Sequence, residues 1–135
     1  MASFETINAP PAQLVEFVER LVRETVLARV EERREPRHKI AIEVLAQPLD
    51  PDFQPTSEPF KAMSRDISAG GLGLVHTRSI SDKHLLVKLE VPSGSRMTLV
   101  MEVLRCRPMG LFYDIGGRFV ARLNSEEQTA RVTEH

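Results

Sequence analysis

Residues 65–75, RDISAGGLGLV, place a carboxylate, a hydroxyl and two adjacent glycines at the entrance to an alternating apolar run. On an extended chain alternate side chains share a face, so Asp66 and Ser68 point one way and Ile67 the other. A carboxylate accepts paired N–H donors, such as those on the Watson–Crick edge of guanine, and a hydroxyl donates to a phosphate or a base acceptor. Gly70 and Gly71 give the backbone access to positive φ and let a flat ligand approach. The same residues also suit a plain hairpin with an Asp/Ser turn.

A second stretch, RREPRHK, gathers Arg33, Arg34, Arg37 and Lys39 around Pro36. Guanidinium groups present a rigid planar fork that matches phosphate and the O6/N7 edge of guanine. Glu31, Glu32 and Glu35 lie among these cations and are too few, in so irregular a segment, to pair them all. A solvated charged hinge is the competing account.

The elements that must position these groups follow from periodicity. Residues 1–10 read as a loose leader. From Pro11 to residue 32 the chain has no further Gly or Pro, and Leu14, Phe17, Val18, Leu21, Val22 and Val26 fall on one broad apolar face. That spacing predicts an amphipathic helix with Pro at its start. Its face suits packing on the body of the domain better than a coiled-coil partner, because the stripe is not a clean heptad. Pro36 ends the helix, since the residue before a proline is pushed out of the α region.

The period then changes to two. HKIAIEVLAQ, FKAMSRDIS, GLGLVHT, HLLVKLEV, RMTLVMEVLRC and LFYDIGGRFVARL are short β-formers, separated by a proline-rich loop and by Gly, Ser and Asp breaks. Six strands without interleaved helices predict a small antiparallel barrel over residues 33–123. NSEEQTARV, with an Asn cap and early acids, predicts a short C-terminal helix within residues 124–135.

Composition bounds the function. The 135 residues suit one domain, and the formal charge of −1 supplies no global field for nucleic-acid polymers. The charge is uneven, however: residues 33–123 hold 14 Lys/Arg against 10 acids, while both ends are acidic. An anion site therefore belongs in the middle. Cys106 is the single cysteine, which excludes an internal disulfide and a multi-Cys zinc site and fits a small reduced residue. No apolar run approaches the ~18 residues of a membrane span, and no signal pattern opens the chain. A cytoplasmic, bilayer-free protein is the expectation. Trp is absent and Tyr113 is the single tyrosine, so stacking platforms for single strands are scarce. The four histidines, His38, His76, His84 and His135, are not spaced with acids as a metal site, and Ser68 has no histidine base beside it. No metal site, cofactor or catalytic residue is expected, and the chain does not read as an enzyme.

Taken together, the two stretches resemble the PilZ domain, the bacterial receptor module for cyclic di-GMP. That family carries an Arg-x-x-x-Arg followed downstream by an Asp/Asn-x-Ser-x-x-Gly. Arg33 to Arg37 supply the first and Asp66 to Gly71 the second, with 28 residues between Arg37 and Asp66. GLGL and the later DIGGRFVARL, with Gly116, Gly117 and Phe119, are similar to the family's following and last strands. The resemblance implies a mainly β protein, a six-stranded antiparallel PilZ-type barrel. It also implies a ligand, cyclic di-GMP. Arg33 and Arg37 would clamp its phosphates and guanine edges, Asp66 and Ser68 would read a guanine, and Gly71 would keep the backbone clear. Arg34 and Gly70 are auxiliary candidates. The bacterial receptor or adaptor so implied signals by moving its N-terminal segment, toward a partner protein or a second copy through the 11–32 helix. The alternative is a PilZ-like protein-interaction module that no longer binds nucleotide.

Overall fold

A computed structural model describes residues 3–26 and 38–124. In chain order these form β1 (Phe4–Thr6), α1 (Ala12–Val26), β2 (Glu43–Leu49), β3 (Phe60–Ile67), β4 (Gly71–His76), β5 (His84–Glu90), β6 (Arg96–Met109) and β7 (Phe112–Leu123). Every pairing is antiparallel. The strands run β7-β4-β3-β2-β5-β6, and β6 pairs back onto β7, so six strands close into a barrel. Closure removes free sheet edges, which a small β protein must otherwise shield.

The predicted strands are present with shifted limits. β2 begins at Glu43, later than the Ile40 and Ile42 alternation suggests, and runs through Pro48 to Leu49. Proline is tolerated there because the Pro48 carbonyl accepts from Thr56 N–H. Its nitrogen, on the same edge, therefore faces the 50–59 loop and removes no bond of the β2–β5 ladder.

The leader holds a strand that alternation did not reveal. Phe4–Thr6 pairs with the end of β7, on the edge that β4 has left free. Phe4 also meets the Phe53 ring edge-on at 5.4 Å, over a small second core of Leu49, Val100 and Ala121. Three residues are too few to show a period, and the contacts that order them are more than 45 positions away.

α1 is the one helix among the described residues. Leu14, Phe17, Val18 and Leu21 are buried in one cluster with Val44, Ile67, Leu74, Leu85, Leu99 and Ile115 from inside the barrel. Because the wall is hydrogen-bonded all round, a helix reaches that interior only across an open end, so α1 acts as a lid. Arg20 donates to Ser95 Oγ at 2.8 Å, and Glu24 accepts from Ser93 N–H at 2.9 Å, which seat the lid on the β5–β6 turn. The face open to a partner in sequence terms is thus consumed within the chain. Residues 27–32 of the expected helix and the predicted C-terminal helix beyond Asn124 lie outside the described residues. Asn124 itself, expected as a cap, donates its side-chain amide to Ser3 Oγ.

Leu21 is fully buried between lid and barrel. Leu21→Ala is expected to cost about 2–5 kcal/mol, the range for a buried leucine truncated over a cavity. Chemical denaturation reads it directly, and a loss below 1 kcal/mol would show that the lid is not part of the core.

Candidate functional site

β3 carries the motif, and a bulge decides where it points. Ala62 and Ser64 are buried on the inner side, so strict alternation would send Asp66 inward and Ile67 outward. Instead Ser64 pairs with Leu74 and Asp66 with Gly73, leaving Arg65 as an extra residue. Such a bulge shifts the pleat by one. Ile67 enters the core, and Asp66 and Ser68 turn to the outer wall as the local spacing predicts.

Outward does not mean open. Asp66 and Ser68 are each 7% exposed. The Asp66 carboxylate leans over Gly73, where a Cβ would lie 2.8 Å from Oδ1, and its Oδ2 stands 3.8 Å from Arg65 Nε. Ser68 Oγ accepts from the N–H groups of Gly70 and Gly71, at 3.1 and 3.2 Å, and Ser68 N–H donates to the Gly71 carbonyl. The hydroxyl therefore ties the β3–β4 turn through its lone pairs, and among the described residues its own proton has no acceptor.

The two glycines serve the turn differently from expectation. Neither adopts positive φ; among the described glycines only Gly94 and Gly110 do. A Cβ on Gly71 would lie 2.3 Å from the Gly117 carbonyl oxygen, so this position lets β4 approach β7. At Gly70 the nearest atom would be Ser68 Oγ at 3.8 Å, an ordinary contact.

Arg33, Arg34 and Arg37 lie outside the described residues, but the point where the chain re-enters is informative. His38 N–H donates to Ile67 O at 2.8 Å, and Ile67 N–H donates to His38 O at 2.9 Å. Ile42 N–H then donates to Ser64 Oγ, which itself reaches Ile40 O. The residue bonded to Arg37 is thus pinned to the one between Asp66 and Ser68. His38 enters this bridge through its backbone alone.

Sequence reasoning missed a second group on the same wall. Asp114 is 2% exposed and receives three arginines: Arg105 Nε at 3.2 Å, Arg65 Nη2 at 3.3 Å and Arg107 Nη2 at 3.6 Å. Burial pushes the Asp114 carboxyl up, but the hydrogen bond from Arg105 and the charges of Arg105, Arg65 and Arg107 outweigh it and hold it below the ordinary carboxylate value. One signal was available: pairing residues outward from the Gly110–Leu111 turn sets Arg107 opposite Asp114. Elsewhere, His76 stacks on Phe60 with centroids 4.2 Å apart, and burial, then Arg78, lowers its pKa. Cys106 is half-buried, and its Sγ accepts from Ile80 N–H.

The described residues thus form a closed six-stranded barrel with a helix at its mouth and an outward Asp-x-Ser turn beside the point where the chain returns at His38. The chain matches the PilZ domain family over residues 31–133, and it belongs to that family, one of non-catalytic cyclic di-GMP receptor and adaptor domains. It is similar in fold to the structure of the Bacillus subtilis inhibitor of motility (MotI/DgrA), with a TM-score of 0.52 and 20% identity. That match covers 76% of this chain and 48% of the other, so the chain spans about half that protein's length. No curated protein matches it. No helix among the described residues is long and apolar enough to cross a membrane.

Two substitutions test this geometry. Gly71→Ala meets backbone and is expected to cost about 1–3 kcal/mol in denaturant, as overpacking does. Asp114→Asn is expected to lose about 1–3 kcal/mol at neutral pH, the scale of a hydrogen bond to a charged group. Because the native pKa is depressed, wild type keeps this contribution above ~4 and loses it as pH falls through the lower native value. Stability of the variant should therefore fall less steeply as pH drops below ~4. A variant curve parallel to wild type over that window would contradict the charge assignment.

Proposed function

We propose that this chain is a cyclic di-GMP receptor in which Asp66 and Ser68 on the barrel and Arg33 and Arg37 on the preceding segment form one site. The observation that supports this is the His38–Ile67 pairing, which holds the residue following Arg37 against the Asp-x-Ser strand. Asp66 offers the acceptor pair for a guanine edge, and the Ser68 proton suits a phosphate or base acceptor. The arginines supply forked donors for phosphates and for O6/N7, with Arg34 as an auxiliary. Gly70 and Gly71 contribute through the turn that holds Ser68.

The output narrows accordingly. α1 up to Val26 is bound into the core, so swinging it as a body would expose Leu14, Phe17, Val18 and Leu21 to water. Its position is the wrong variable for a switch. Residues 27–37 join two docked points, α1 on the β5–β6 turn and His38 on Ile67. Ligand held between this segment and the barrel favours one closed arrangement by differential affinity. That arrangement is what a partner protein would read. A bacterial cytoplasm, where the messenger is made, is the compartment this function requires.

The second reading, an interaction module without nucleotide, draws support from the Ser68 hydroxyl already tying the turn and from the Asp66 carboxylate packed over Gly73.

Titration calorimetry with cyclic di-GMP, and cyclic di-AMP as control, separates the two. Saturable micromolar or tighter binding is expected for the first ligand only. Arg37→Ala and Asp66→Ala should each weaken it by about ten- to a hundred-fold, the scale of a lost charged hydrogen bond. Hydrogen exchange should slow across residues 25–40 on saturation. A folded protein that releases no heat would favour the interaction module.

A further inference from the structure

The outer wall has a stripe without side chains. Gly73 on β4 pairs with Gly116 on β7, and Asp66 and Arg105 continue the same row on β3 and β6. Two adjacent strands are bare there, a floor about 10 Å wide at the usual strand spacing. The neighbours lean over it from both sides. Asp66 covers Gly73, and the Arg105 guanidinium covers Gly116.

The manner of covering matters. A Cβ on Gly116 would lie 2.6 Å from Arg105 Cζ, 2.6 Å from Nη1 and 2.8 Å from Nη2. Near-equal distances to the centre and two corners of a planar group mean that it meets Gly116 face-on. Asp114 fixes its orientation, accepting from Arg105 Nε at 3.2 Å and Nη2 at 3.4 Å. The opposite face is turned away from the sheet, and the side chain is 37% exposed. This is a flat π surface, braced at one edge and supported from below, in a row that holds no aromatic ring.

The local charge suits an anionic ligand. Arg65, Arg105 and Arg107 face the carboxylates of Asp66 and Asp114, leaving one positive charge in excess. Guanidinium groups stack on planar bases as well as bonding phosphates.

We propose that Arg105, laid flat over Gly116 and braced by Asp114, is a stacking platform for a purine base of the nucleotide bound at the Asp66–Ser68 site. The inference rests on the receptor reading above. Arg105 is the contacting residue; Asp114 and Gly116 position it, and Arg65 and Arg107 supply field.

The test uses the full chain titrated with cyclic di-GMP, cyclic di-AMP and GMP, with thermal melts to confirm folding. Arg105→Ala, Arg105→Lys and Gly116→Ala are each expected to weaken binding by about ten-fold or more, the scale of a lost base stack. Arg105→Lys keeps the charge and loses the plane. Gly116→Ala keeps every charge and lifts only the flexible end of Arg105 from its seat. Arg96→Ala, on the far end of β6 beside Glu90, should bind as wild type. Lysine binding as tightly as arginine would overturn stacking, since charge alone would suffice. Alanine binding as tightly as arginine would remove Arg105 from the site altogether. If wild type binds no purine nucleotide, platform and receptor reading fall together. If Asp66→Ala binds normally while the Arg105 variants do not, the proposed Asp66 contact falls and the platform stands.

Discussion

One extra residue in β3 organises the outer wall that carries the Asp-x-Ser motif. Up to Ser64 the strand's inward parity is even, and from Ile67 it is odd; Arg65 absorbs the difference. Without it, a carboxylate would face the apolar interior, where an unpaired charge costs several kcal/mol, and Ile67 would face water. The bulge therefore satisfies the core and turns Asp66 and Ser68 outward in the same step. It also sends Arg65 toward Asp114 and leaves Ile67 in place to pin His38.

Close backbone approach is the second theme, and it separates the glycines by role. Gly71 and Gly117 are required by strand against strand: a Cβ on either would strike a carbonyl oxygen, at 2.3 and 2.1 Å. Gly73 and Gly116 are required by side chains lying across them. The first pair lets β7 draw close to β4 on one side and to β6 on the other. The second pair leaves the wall bare, so that a short carboxylate and a long guanidinium can lie along the surface instead of standing off it. A flat, polar, rigid surface results, from residues that would be mobile on an ordinary strand.

The lid bears on how such a domain can signal. An amphipathic helix ahead of a barrel is easily imagined as a movable arm. Here its four central apolar residues belong to the same core as the barrel strands, and each buried leucine or valine contributes about 1.5–3 kcal/mol. Moving the helix as a body would therefore forfeit several of these contributions at once.

Much of this was legible in the sequence, because the relevant physics is local. The period-two runs, the apolar stripe of α1 and the i, i+2 relation of Asp66 to Ser68 need only neighbouring residues, and all three are present. Strand limits moved where a distant partner intervened, as at Pro48, whose nitrogen is excused from the ladder by the 50–59 loop. β1 was illegible because three residues carry no period. The full Asp114 cluster was illegible because Arg65 reaches it only through the order of strands around the barrel, whereas the β6–β7 hairpin alone sets Arg107 opposite Asp114. By itself, then, the sequence determined the barrel pattern, an amphipathic helix suited to packing on the body of the domain, and the pair of motifs that resemble those of PilZ domains. Tertiary structure alone decided that the bulge turns the motif outward, that the helix closes the mouth of the barrel, and that Arg105 lies flat over Gly116 on the outer wall. Each of those depends on which strands close against one another, and side-chain spacing along one strand carries no record of its neighbours across the sheet.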